Sequence, residues 1–173
     1  MDGAGDYMAT IEAQKRAMLA GNERKGQKAT KKPSRRKLQS FYPTTSTGKV
    51  PTDIPQIRTA FITFSYPPST ARLQNLKPIK LSELRLETHH TGRVVFVRTF
   101  THPVRMVSVL VGVEDEAGDV DDLALYNADP KLKPGDILPK DAVFAVKEPF
   151  YKAGASGGYL IRIGMFDSTP VSC

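Results

Sequence analysis

From about residue 81 onward, apolar and polar positions follow a strand-like rhythm. GRVVFVRTF (92–100) and VRMVSVLVGV (104–113) are β-branched and aromatic runs, the composition of half-buried strands. The polar EDEAGD that follows (114–119), with Gly118, reads as a hairpin turn. VDDLALY (120–126) is a third strand, AVFAVKEPFYK (142–152) a fourth and YLIRI (159–163) a fifth, with a flexible turn from Gly154 to Gly158 before it. NADPKLKPGDILPKD (127–141) is the longest connection and has room for one helical turn. LSELRL (81–86) is a short apolar-periodic entry to this region. Five strands with an insertion between the third and fourth predict a mainly β fold, a five-stranded OB-like barrel over 81–166. Residues 167–173 are left as a C-terminal tail.

The upstream pattern is different. In DYMATIEAQKRAMLA (6–20), Tyr7/Met8, Ile11, Lys15 and Met18/Leu19 recur near helical spacing, and Gly21-Asn22 is a stop. An isolated helix of this length is marginal in water, so it needs a surface to pack on. NERKGQKATKKPSRRK (22–37) has no apolar residue larger than alanine and predicts a disordered basic linker. Residues 1–37 are therefore expected to be an amphipathic helix and a basic tail. In 38–80 small apolar clusters (Phe41-Tyr42, Phe61-Ile62, Phe64, Tyr66) are broken by Pro43, Pro51, Pro55, Pro67, Pro68 and Pro78, which predicts extended chain.

Charge sharpens this division. The 173 residues carry a net +7. Residues 1–50 hold 11 Lys/Arg against 4 Asp/Glu, whereas residues 89–173 hold 9 against 11. The excess lies in the tail, so attraction to phosphate would come mostly from there. No 18-residue apolar run predicts a membrane span. Asp2, Asp6, Glu12 and Glu23 interrupt any secretory apolar core. Cys173 is the single cysteine, so no internal disulfide or cysteine cluster is available. These features predict a nuclear or cytoplasmic location.

Candidate chemistry is sparse. Lys31, Lys32, Arg35, Arg36 and Lys37 form a basic cluster of the kind a nuclear-import receptor or a row of phosphates reads, with Ser34 inside it. His89 and His90 are adjacent, so on a strand their rings point to opposite sides and share no metal. No metal site and no cofactor is predicted. Glu114, Asp115, Glu116, Asp119, Asp121 and Asp122 make an acidic hairpin without the twelve-residue calcium pattern. Two readings of it stay open. One is a solvated tip. The other is an acidic surface for a basic partner, of which the chain's own Lys31–Lys37 is one, in a clamp that salt would weaken. Aromatic and basic residues on the strands suggest a single-strand nucleic-acid groove. Tyr126, Tyr151 and Tyr159 are its stacking candidates, with Arg93, Arg98 and Arg162 as phosphate partners. Gly154–Gly158 lacks the Gly-Lys-Ser/Thr ending of a phosphate loop. No nucleophile, base and orienting group stand in a recognisable catalytic context.

The strand order and turn chemistry resemble OB modules of the replication-protein type. A longer resemblance rests on LKPIKLSELRLETHHTGRV (76–94), EDEAGDVDDLALYN (114–127), AVKEPFYK (145–152), QKRA (14–17) and ERKGQ (23–27). These blocks are similar to the region ahead of the catalytic part in fungal tetratricopeptide-repeat/SET-domain proteins. The resemblance implies a parent family of protein-lysine methyltransferases with helical repeats and a SET domain after this region. No Asn-His-Ser-Cys-like or Gly-Glu-Glu-Leu-like SET motif occurs here, so no residue inherits the methyl-transfer chemistry. The expectation is a non-catalytic binding or scaffolding module acting with a protein partner or with the SET and repeat part, and no enzyme in this chain. Two alternatives accompany it: a single-stranded nucleic-acid-binding OB protein, and a truncated fragment of a SET-domain methyltransferase.

Overall fold

A computed structural model describes residues 3–44, 69–154 and 158–164. In chain order the elements are α1 (Gly3–Arg24), α2 (Arg35–Phe41), β1 (Lys77–Pro78), β2 (Thr88–His89), β3 (Arg93–Thr99), β4 (Val104–Arg105), β5 (Val109–Glu114), β6 (Val120–Leu125), α3 (Pro134–Ile137), β7 (Val143–Lys147), β8 (Phe150–Ala153) and β9 (Tyr159–Ile163). Single 3-10 turns lie at Leu73–Asn75 and Leu81–Glu83.

The strands form one curled mixed sheet, so the mainly β expectation holds. The hairpin β5–β6 pairs antiparallel from Val109↔Leu125 to Glu114↔Val120. β6 then pairs parallel with β9, and β9 antiparallel with β8. β3 pairs antiparallel with β5 at one end and with β7 along its length. The expected fourth strand is two pieces. Glu148 takes φ 48°, and Pro149 has no N–H to give a ladder, so the run breaks between β7 and β8. The other additions, β1, β2 and β4, have two residues each. They arise from pairing with β3, β8 and β5 and carry no local pattern of their own.

Inside the curl lies an aliphatic core of Leu81, Leu84, Leu86, Val95, Val97, Val109, Val111, Val113, Leu123, Leu125, Leu138, Val146 and Ile161, with Tyr151. Each such side chain taken from water contributes about 1.5–3 kcal/mol. Leu138 follows α3 and is fully buried, so the 127–141 connection is tied down at its far end. Gly112 is required by a close approach. A Cβ there would stand 2.8 Å from Thr101 Cγ2, while its N–H donates to Thr101 Oγ1 at 2.8 Å.

The histidine pair divides as the sequence implies, with His89 exposed and His90 buried. The Arg85 N–H donates to His90 Nε2 at 3.0 Å, so Nδ1 carries the proton and donates to the Pro149 carbonyl, also at 3.0 Å. Burial pushes the His90 pKa down, which keeps the ring neutral.

The largest departure from expectation is residues 22–37. They are no disordered linker here. α1 runs on to Arg24, past the expected stop. The Gly26 N–H then donates to the Leu86 carbonyl, and the Leu86 N–H to the Gln27 carbonyl. Residues 31–42 continue as a strap over the outer face of the β5–β6 hairpin, and Leu38 and Tyr42 are buried there. Of the 38–80 segment, residues 45–68 with Phe61, Phe64 and Tyr66 lie outside the described residues. Its described end enters the sheet as β1. Along α1, Met8, Met18 and Leu19 remain exposed. Among the described residues no helix is long and apolar enough to cross a membrane.

Candidate functional site

The densest set of polar contacts lies where the strap meets the hairpin. Strand alternation turns Glu114 on β5 and Asp122 on β6 toward the strap on the outer face, while Asp121 points to the inner face, where Lys32 of the strap reaches it. The strap answers with a cation or hydroxyl for each. Lys32 Nζ donates to the Leu81 carbonyl at 2.5 Å and stands 3.4 Å from Asp121 Oδ2. The same ammonium lies 5.4 Å from the centre of the Tyr151 ring, within cation–π reach. Arg35 pairs with Glu114, which also accepts from Arg98 Nε at 2.9 Å. The Arg35 guanidinium covers the Phe100 ring at 4.4 Å. The Tyr42 hydroxyl donates to Asp122 Oδ1 at 2.6 Å.

Local sequence explains how the strap takes this shape. Ser34 is extended and its Oγ accepts from the Lys37 N–H at 3.2 Å, an N-cap for α2. One helical turn then carries Leu38 to the same side as Arg35. Leu38 and Tyr42 pack with Phe100, Val104 and Val120 in a second, smaller apolar cluster.

The carboxylates beneath the strap are costly to ionise. Asp121 is fully buried, and this burial raises its pKa, while Lys32 and the Tyr151 hydroxyl, at 2.7 Å, oppose the rise. Asp122 is pushed up to about 6, chiefly by burial, with its neighbour Asp121 adding to the shift. Burial and the adjoining carboxylates raise both the Tyr42 and Tyr151 hydroxyls, so both stay protonated donors. Asp115 has a different task. Its Oδ1 accepts from the Ala117 and Asp119 N–H groups at 3.0 Å, and its Oδ2 from the Leu81 N–H at 2.9 Å. It builds the turn and is not part of a solvated tip.

The expected nucleic-acid residues do not converge. Tyr151 is fully buried with its hydroxyl on Asp121, so it cannot stack a base. Tyr159 lies beside it, half-buried, with ring centres 6.0 Å apart. Tyr126 is covered by the Arg162 guanidinium at 4.5 Å, at one end of β6. Arg98 is held by Glu114 at the other end, roughly 20 Å away at strand rise. Arg93 is exposed at the start of β3. The basic cluster is also divided: Lys32 and Arg35 are engaged, whereas Lys31, Arg36 and Lys37 are exposed. Sequence reasoning weighed the acidic hairpin and the tail as partners but missed Leu38, Tyr42 and the Leu81 carbonyl. The signal was Ser34 ahead of RRKLQSF, a capped turn with an apolar side.

No family model matches this chain. A curated protein does. It is named "Methyltransferase", comes from Gibberella zeae, and is 34% identical over 139 residues. The matched part is 79% of this chain and 19% of that protein, so the chain spans about a fifth of its relative's length. This likeness overturns two expectations. The reading of a non-catalytic scaffold and the exclusion of an enzyme both rested on catalytic motifs sought within 173 residues. Most of those residues align, at 34% identity, with a fungal protein that is named for a catalytic activity.

Proposed function

We propose that this chain is a stretch of a methyltransferase, of the tetratricopeptide-repeat/SET kind that its sequence resembles. The observation that carries the reading is the 34% identity over 139 residues to the Gibberella zeae protein. We further read the curled sheet as an OB-like barrel. Support comes from the circuit of pairings, in which β3 meets both β5 and β7 and β6 runs parallel to β9. The short α3 stands in the connection between β6 and β7, where that fold carries an insertion.

No transfer step is assigned to a described residue. A sulfonium methyl donor is a cation and calls for anionic or carbonyl partners. A cleft of about 290 Å³ beside Tyr42 is lined by His102, Lys140 and neutral side chains, which do not suit it. The carboxylates Asp121, Asp122 and Glu114 are already engaged by the strap.

The test is a graft. The Gibberella zeae protein, with its matching stretch replaced by this chain, should move a labelled methyl group to a protein acceptor. Leu123→Asp in the grafted stretch places a charge in the aliphatic core and should cut transfer at least about tenfold. An inactive graft beside an active parent, or no effect of Leu123→Asp, would refute the assignment. A nuclear-import role for Lys31–Lys37 is proposed for the strap when it is free, since Lys32 and Arg35 are otherwise engaged. A fluorescent fusion of Leu38→Ala should then be more nuclear than wild type, and an unchanged distribution counts against it.

A further inference from the structure

We infer that the β5–β6 hairpin, across its outer face and on to Asp121 on its inner side, is a docking site for basic peptides, and that residues 32–42 occupy it as a ligand supplied by the chain itself. The occupant is a partner segment with the strap's chemistry: a lysine, an arginine three positions on, then an aliphatic residue and an aromatic hydroxyl. Each of these has a place prepared by the sheet. The lysine place is an ammonium pocket made of the Leu81 carbonyl, the Asp121 carboxylate and the Tyr151 ring. Asp121 is held there independently of the strap, because the Tyr151 hydroxyl and the Asp122 N–H both donate to it. The arginine place is Glu114, set against the Phe100 ring and steadied by Arg98 from the neighbouring strand. The tyrosine place is Asp122.

Two features mark the strap as a ligand more than as an element of the core. It reaches the sheet almost wholly through side chains: beyond residue 28 no backbone pairing joins it to a strand among the described residues. Two of its anchors, Leu38 and Tyr42, also belong to the small outer cluster, while Lys32 reaches only the rim of the aliphatic core at Leu81 and Tyr151. Charge selects the partner. Three carboxylates face the strap, so an acidic peptide or a nucleic-acid strand would be repelled and a basic peptide drawn in. The tethered strap competes at an effective concentration on the order of millimolar, so the free site is seen only when the strap is weakened.

The docking face is read by binding alone, without a turnover assay. A fluorescent peptide of residues 28–44 is titrated against the full chain carrying Lys32→Ala and Arg35→Ala, and against wild type. The double variant should bind it at least about tenfold more tightly than wild type, because cis competition is weakened. A peptide itself carrying Lys32→Ala should bind the double variant at least about tenfold more weakly, having lost the ammonium contacts. A second full-length variant, Leu38→Ala, should rank the two peptides in the same order. Equal binding by wild type and variant, or equal binding of the two peptides, would overturn the inference. Preference for an oligothymidylate over the peptide would also overturn it, in favour of a nucleic-acid face. Loss of the strand circular-dichroism signal in both variants would show the strap to be inseparable from the fold and would overturn it too.

Discussion

The molecule has two apolar clusters on opposite sides of one sheet, and they are held by different physics. The inner cluster is aliphatic side chain on aliphatic side chain, with Tyr151 as its one polar member. Salt and pH reach it only through the Tyr151 hydroxyl on Asp121. The outer cluster is five buried side chains, Leu38 and Tyr42 of the strap on Phe100, Val104 and Val120 of the sheet, bordered by Asp122 and Glu114 with Arg35. Removing apolar surface from water stabilises both. The outer one depends more heavily on charges that can be screened, protonated or replaced, and the inner one meets them only where Tyr151 holds Asp121.

The largest effect should come from the inner side. Leu123→Ala should cost about 2–5 kcal/mol through lost burial and an unfilled cavity. Urea denaturation followed by circular dichroism would show it as a lower midpoint for the whole sheet. Leu38→Ala is the matched change outside and should cost about 2 kcal/mol at most, because a surface cluster relaxes more easily. Hydrogen exchange should locate that loss in residues 31–42 and leave the β5–β6 amides protected. A global loss of protection in this variant would erase the distinction between the clusters.

A smaller effect separates them by pH. The Asp122 carboxyl is raised from 3.8 to about 6, so folding takes up a proton between these values. The stability it contributes is largest below pH 4 and declines as pH rises through 6. Asp122→Asn keeps an acceptor for the Tyr42 hydroxyl and removes the buried charge. It should raise Tm at pH 8, by the equivalent of about 1–2 kcal/mol, with the gain fading toward pH 4. A gain that is the same at both pH values would assign it to packing. The smallest effect should be that of salt. The partly exposed pair of Arg35 with Glu114 is worth about 1 kcal/mol or less. Raising salt from 50 to 500 mM should speed exchange in the strap more than in β5 and β6. An equal response in both would show that charge does not set the outer seam apart.

Much of the sheet was legible in the sequence because strands 93–99, 109–114, 120–125 and 159–163 carry β-branched runs bounded by turns. The hairpin turn was legible from Gly118, which takes φ 83°. The break at Glu148-Pro149 was not recognised, although proline was the cue. β1 and β2 could not have been read, since pairing with distant strands creates them. The strap was misread for a definite reason. Its composition is that of solvated chain, and its partners lie 80 and 89 positions away for Tyr42 and Lys32. Composition reports what a segment can bury by itself, and this one is ordered by carboxylates supplied elsewhere. Those carboxylates read in the sequence as a surface for the basic tail, so half of the site is legible there. The other half, Leu38 and Tyr42, lay just beyond the boundary drawn at residue 37.

His90 gives the molecule an internal reporter. Its ring is held as a single tautomer between the Arg85 N–H and the Pro149 carbonyl, which join two stretches distant in sequence. The ring proton on Nδ1 is therefore expected as a discrete, slowly exchanging resonance in a nitrogen-edited NMR spectrum. While the Arg85 and Pro149 segments stay together it should persist. When either leaves, the tautomers mix and the signal is lost, so one imidazole follows the integrity of the sheet edge at β2 and β8 in real time.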